Sequence, residues 1–425
     1  MTKANGHWQR TTLVVAGMAV LAGLSAQPLM ASTVFVGTCV AKVTQYSTIQ
    51  AAVNAVKPGS TIRVCPGNYP EQVVIDRNLT LAGFDSRTAD NPVVVIPSGG
   101  FVANTASLTT AGVIAAQILV TYPATDVTIS YIAVDGSNSN LNGGCSDPRL
   151  IGIYFQGASG RLDDVAVRNQ AQNSDNFGCQ SSAGLGIFVE SGDSKNSTVR
   201  IENSTVRGYQ KNGITADEDG TTVTISGNSV VGAGPVDTAQ NSIQVAYGAT
   251  GTVENNTLAD DVYDGTGYVS TGILIYGSGR MTIRRNSVTN TQTGIVTWTD
   301  GSLTANGNEI ANNLVTNTHV GDGIDVCSNS NTITGNTVFS SDEAGIHLDS
   351  TCVSTGSTNF VSRNTVNEAC AAILQGGSGN WLTWNMYANV ANTILAGDVC
   401  TVVTPSTLSK SQVSSQGHAF SPARP

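Results

Sequence analysis

Charge is scarce in this chain of 425 residues, with only 12% Asp, Glu, Lys or Arg, and aromatic residues are scarcer still at 6%. Nucleic-acid binding needs Lys and Arg gathered into a patch. No such cluster occurs, and the formal net charge of −10 argues the same way. An acidic surface also disfavours a bare polyanionic glycan unless a cation such as Ca²⁺ bridges the charges. Long apolar runs are missing apart from Leu13 to Leu24, which is too short for a permanent bilayer helix. With Lys3 and Arg10 ahead of it, this run has the form of an export signal over residues 1–31, so a secreted or periplasmic location is expected, with no membrane span afterwards. Cys-x-x-Cys is absent, which turns the eight cysteines away from metal binding, and no metal ligands are assigned. All eight follow the leader, as suits an oxidising compartment. Their order suggests the local bridges Cys39–Cys65, Cys145–Cys179, Cys327–Cys352 and Cys370–Cys400.

What the chain has is glycine, 46 residues of it, and a repeated phrase. Gly-Ile followed by alternating residues recurs at Gly152-Ile153, Gly186-Ile187, Gly213-Ile214, Gly272-Ile273, Gly294-Ile295, Gly323-Ile324 and Gly345-Ile346. Degenerate copies stand at Ser242-Ile243 and Ala372-Ile373, and successive copies are 22 to 34 residues apart. A second phrase, a short alternating strand followed by Asn, leads to Asn228, Asn286, Asn336 and Asn364. Units of this length cannot bury their own apolar face and must stack on neighbours. Period-two alternation and β-branched residues make the units strands. A 22-residue coil has no room for a crossover helix, so strands of successive coils pair directly, as in a parallel β-helix. The Asn positions are expected to form an internal ladder, and glycine and Asn at the phrase edges are expected to supply bends through left-handed backbone angles. Ahead of the repeats, Ser47 and Gln50 form a Ser-x-x-Gln capping box, followed by apolar residues at helical spacing and Pro58-Gly59. A helix over Ser47–Val56 is expected to plug the first coil. The domain reading is a signal peptide at 1–31, one β-helix at 32–400 and a flexible Ser/Thr-rich tail at 401–425, acting as a monomer.

Ser47 to Val53, Val64-Cys65-Pro66-Gly67-Asn68-Tyr69, Glu71 and Leu79 to Gly83 resemble the opening of right-handed parallel β-helix proteins of the pectate-lyase-like superfamily. Pectin methylesterases and nitrous-oxide reductase accessory proteins begin similarly. The resemblance spans roughly residues 45 to 400 and implies an all-β, right-handed solenoid. For activity it implies less, because this fold hosts enzymes and binding proteins alike. Gly323-Ile324-Asp325-Val326 resembles a polygalacturonase stretch, while the other polygalacturonase signatures and the Asp-Pro-His of mannuronan epimerases are absent.

Aligning the coils on the phrase glycine places Ile inward and the residues two and four places on outward. Coils from Gly272 to Gly345 then bring Tyr276 and Trp298 beside Asp325, His347 and Asp349 on one outer face. A rung spacing of about 4.8 Å and a strand rise of about 6.7 Å per two residues put Asp325 and Asp349 roughly 8 Å apart, within the span of an inverting carboxylate pair. His347 lies between as an acid, base or orienting group, and Tyr276 and Trp298 offer stacking surfaces for sugars. Tyr154, Phe188, Glu190 and Asp217 are a second candidate group. These residues suit an enzyme acting on extracellular polysaccharide, a hydrolase or a lyase, the latter with Ca²⁺ as cofactor. A non-catalytic glycan-binding module and a structural or adhesive solenoid are the alternatives, and ordinary solvated surface is the bland one.

Overall fold

The computed structural model describes residues 1–2, 31–84, 92–97, 99–137, 139–141, 148–171, 180, 184–400, 419–420 and 422–423. The expected leader and the expected Cys145–Cys179 bridge lie outside these residues. The compact body begins at Ala31. No helix among the described residues is long and apolar enough to cross a membrane.

The body is a parallel β-helix whose coils present strands in three stacked faces. One face is a single 14-stranded sheet that includes Thr33–Val36, Ser60–Val64, Thr221–Ser226 and Thr332–Thr334. The face that matters for function carries the Gly-Ile phrases, in Asn212–Asp217, Asn241–Ala246, Thr271–Tyr276, Thr293–Trp298, Ile324–Cys327 and the end of Thr337–Leu348. Its register is unbroken from Ile153 through Ile187, Ile214, Ile243, Ile273, Ile295, Ile324 and Ile346 to Ile373. All nine isoleucines are fully buried, the single column that the phrase alignment predicts.

The phrase glycines have a different reason from the one expected. None of the seven has a left-handed angle; instead a valine from the adjoining face of the next coil crowds each of them. A Cβ on Gly272 would stand 2.3 Å from Val288 Cγ1 and 2.9 Å from the Gly294 carbonyl oxygen, and Gly213, Gly294, Gly323 and Gly345 meet a valine at 2.3–2.4 Å. Asn228, Asn256, Asn286, Asn313, Asn336, Asn364 and Asn385 form the ladder, each side-chain oxygen accepting from the preceding Asn's backbone and side-chain N–H groups at 2.9–3.1 Å. Asn308, Asn331, Asn359 and Asn380 make a second ladder at another corner.

Helix α1, Ile49–Ala55, buries Ile49, Ala52 and Val53 against the first strands. Its N-cap is Thr48, whose hydroxyl accepts from the Ala51 N–H at 3.1 Å, and not Ser47. The Gln50 amide turns to Asn54 and Val74, so no capping box closes. Glu71 supplies the acceptor instead, taking the Ile49 and Gln50 N–H groups at 2.8 Å each. Of the expected tail, residues 419–420 and 422–423 are described. Ala419–Phe420 pairs in parallel with Tyr268–Val269, and the Ala423 backbone exchanges two 2.8 Å hydrogen bonds with the Gln244 side chain. Three of the four expected disulfides join described residues, with Cα separations of 5.7 Å for Cys39–Cys65, 6.0 Å for Cys327–Cys352 and 5.9 Å for Cys370–Cys400.

Candidate functional site

The outer side of the Gly-Ile face gathers the five residues singled out from the sequence. Tyr276 pairs with Trp298, and Trp298 with Cys327, in one column; Asp325 pairs directly with His347 in the next. Asp349 follows the end of its strand, with an oxygen 3.4 Å from Cys327 Sγ. A period-two strand sends these side chains outward because their neighbours Ile324, Val326, Ile346 and Leu348 fill the core. Outward is not exposed, however. Asp325, His347 and Asp349 are only 5–6% accessible, whereas Tyr276 and Trp298 are half-buried beside Val269, Leu274 and Val296.

Part of the cover comes from beyond the last full coil. After Met386–Ala396 the chain turns back, tied by Cys370–Cys400, and Asp398 accepts from the Ser350 N–H and hydroxyl at 2.8 and 2.7 Å. Asp398 and Asp322 are the site residues that the sequence reading missed, with Glu343 at their edge. Asp322 stands directly before the phrase glycine, a column left out of the alignment, and Asp398 carries no repeat signal at all.

Asp322 holds His347. One of its oxygens accepts from the Ala344 N–H at 2.9 Å and the other lies 3.0 Å from His347 Nδ1. His347 Nε2 makes no hydrogen bond; its nearest carboxylate oxygens are those of Asp398 at 3.4 Å and Asp349 at 4.0 Å. Asp325 Oδ1 is likewise buried without a hydrogen-bond partner. Burial first, and then the neighbouring Asp349, push the Asp325 carboxyl well above the usual carboxylate range. Burial lifts Glu343 to about 7, with Asp322 adding to it. For His347 burial works downward, and the carboxylates led by Asp322 outweigh it, carrying the imidazole well above its ordinary value. The His347 contact draws Asp398 down to about 2. Tyr276 is raised to about 12 by burial and by Asp300. Chemically, the group offers a retained carboxylic acid, an oriented imidazole and several carboxylates at one spot.

In the second candidate group Asp217 is buried, pairs with Glu190 across a rung and accepts from the Gln244 side chain at 3.0 Å, while the other three residues form a structural knot. Tyr154 and Phe188 are fully buried and stack at 4.9 Å between centroids. Glu190 is saturated by Ser107, the Leu108 N–H, Thr109 and Tyr154. Glu190 thereby fastens the segment around residues 107–109 over the sheet.

A family model described as a right-handed beta helix region matches residues 236–390. No curated protein sequence matches this one. The mannuronan C-5 epimerase A-module of Azotobacter vinelandii superposes with a TM-score of 0.58 at 14% identity, covering 84% of this chain and 95% of its own. An exopolygalacturonase from Thermotoga maritima gives 0.55 at 12% identity over 77% and 84% of the two chains. The family 28 exopolygalacturonase of Yersinia enterocolitica gives 0.51 at 12% identity over 81% and 74%. At these identities the likeness is one of fold, the right-handed parallel β-helix.

Proposed function

We propose that this chain is an exported protein acting on extracellular polysaccharide, with Asp325 as its proton-transferring group. His347 and Asp349 set the position and charge of that group, and Tyr276 and Trp298 contact sugar rings. One observation carries the reading: Asp325 and His347 pair across a rung with a buried oxygen and a buried nitrogen that make no hydrogen bond, next to two half-exposed aromatic rings. Buried groups with missing partners and perturbed protonation concentrate where chemistry is done. The structural neighbours named above are themselves polysaccharide enzymes, which supports the substrate class. The three disulfides agree with life outside the cytoplasm. Whether the reaction is hydrolysis or elimination is a matter of product, since one leaves reducing ends alone and the other also an unsaturated residue.

Burial of the carboxylates favours a second, non-catalytic reading, in which Tyr276 and Trp298 bind glycan and the buried group only stiffens the wall. A panel of neutral and uronate polysaccharides, scored for binding, reducing ends and unsaturated products with and without Ca²⁺, separates the two. Under the catalytic reading Asp325→Asn abolishes turnover with binding retained, and Trp298→Ala mainly weakens binding. Under the binding reading Trp298→Ala abolishes retention and Asp325→Asn changes little. If neither substitution alters recognition of a glycan that the wild type engages, this face is not the site.

A further inference from the structure

We propose that His347 Nε2, Asp349 and Asp398 bind a first-row transition dication of the zinc type. This goes beyond the polysaccharide reading, because it concerns an ion and not a glycan and would stand if that reading fell.

Geometry and pairing carry the inference. The ligating atoms of His347, Asp349 and Asp398 all lie within 4.8 Å of one another. Nε2 stands 3.4 Å from Asp398 Oδ1 and 4.0 Å from Asp349 Oδ1. An ion about 2.0–2.2 Å from each ligand in tetrahedral array sets ligands about 3.3–3.6 Å apart, so the observed separations need little closing. The imidazole is 94% buried, and its Nε2, aimed between the two carboxylates, makes no hydrogen bond. A buried nitrogen that makes no hydrogen bond is expensive, and an ion at this point would satisfy it more fully than the 3.4 Å Asp398 contact.

The surroundings have the form of a ligand-holding shell. Metal-bound histidines commonly donate the other ring N–H to a carboxylate, and Asp322 stands at Nδ1 for that purpose, itself fixed by the Ala344 N–H. Asp349 is oriented by the Thr351 N–H and hydroxyl at 2.7 and 3.0 Å, and Asp398 by Ser350. Each carboxylate oxygen keeps a second lone pair for the ion. Among the described residues no Lys or Arg forms an ion pair with Asp322, Asp325, Asp349 or Asp398; their basic contact is His347, whose Nε2 proton a dication would replace while adding positive charge among the carboxylates. Asp325, one rung away, adds negative potential. Ca²⁺ takes oxygen ligands, whereas imidazole nitrogen selects for zinc and its neighbours. Asp398, 21% accessible at its side chain, marks the side of entry.

The test uses the full secreted chain with disulfides intact, stripped with EDTA and titrated with zinc chloride by calorimetry, with elemental analysis after desalting. One zinc per chain is expected. His347→Gln and Asp398→Asn should each weaken binding at least tenfold, while His319→Ala, an exposed histidine away from the set, should not. Asp398→Asn lies at the rim and keeps an amide oxygen to accept from the Ser350 N–H, so it decides the matter if the buried His347 variant fails to fold. Absence of saturable uptake, unchanged affinity in both variants, or displacement of zinc by equimolar Ca²⁺ would overturn the site. None of these measurements involves glycan, so failure here is distinct from failure of the polysaccharide assay.

Discussion

Lys211 and Asp261 are both fully enclosed in the corner beside Ser242. The ammonium donates to the Ala239 carbonyl oxygen, and the carboxylate accepts from Tyr209 at 2.6 Å and from Ser242. Burial drives the two in opposite directions, Lys211 down to about 7 and Asp261 up to about 7. The raised carboxyl contributes stability that is present in acid, below its unfolded value, and lost as pH climbs to 7. The depressed ammonium contributes stability that is present above its unfolded value, near 10.5, and lost as pH falls to 7. Melting temperature against pH should therefore dip around neutrality. Asp261→Asn should flatten the acid limb and Lys211→Met the alkaline one, and a wild-type profile without a dip would contradict both assignments. The same corner explains the degenerate phrase, since Ser242 carries a hydroxyl that the buried carboxylate engages.

At the scale of the coil, the glycine column and its facing valines act as a matched pair. Gly272→Ala should lower stability by about 1–3 kcal/mol, the usual effect of overpacking, because its Cβ would meet Val288 Cγ1 at 2.3 Å. Val288→Ala in the same chain should recover part of the loss, and a double-mutant cycle from denaturant unfolding measures the coupling. Additive effects would mean that the two residues are not the contact that matters. The isoleucine column and the ladder were legible in the sequence because inward positions repeat with one residue type. The reason for the glycine was not legible, since a left-handed turn and a close wall both demand the missing Cβ. The helix start was misread by one residue for a related cause. Ser47 and Thr48 are equivalent as acceptors in sequence, and the first helical N–H groups are taken by Glu71, a residue in the bend before Val73–Ile75.

Over the whole molecule, the site depends on chain that arrives from outside the repeat. Coil alignment brought Tyr276, Trp298, Asp325, His347 and Asp349 to one face correctly, yet it implied a solvated surface. It could not foresee Asp398, which lies in the segment after Met386–Ala396 that Cys370–Cys400 fastens and is held to Ser350. Removing that bridge by Cys370→Ser with Cys400→Ser should leave the β-helix folded, by far-ultraviolet circular dichroism, while protease cleavage near residues 397–400 speeds up several-fold. Unchanged resistance would show that the hydrogen bonds of Asp398 to Ser350 suffice alone. The glycine column has a further consequence for how such a chain can change over generations. Because no Cβ fits between a phrase glycine and the valine of the next coil, that contact is held at one width from coil to coil while the copies vary from 22 to 34 residues in length. Insertions are thereby steered away from the load of the interior and toward the rim, so new surfaces can be tried without renegotiating the core.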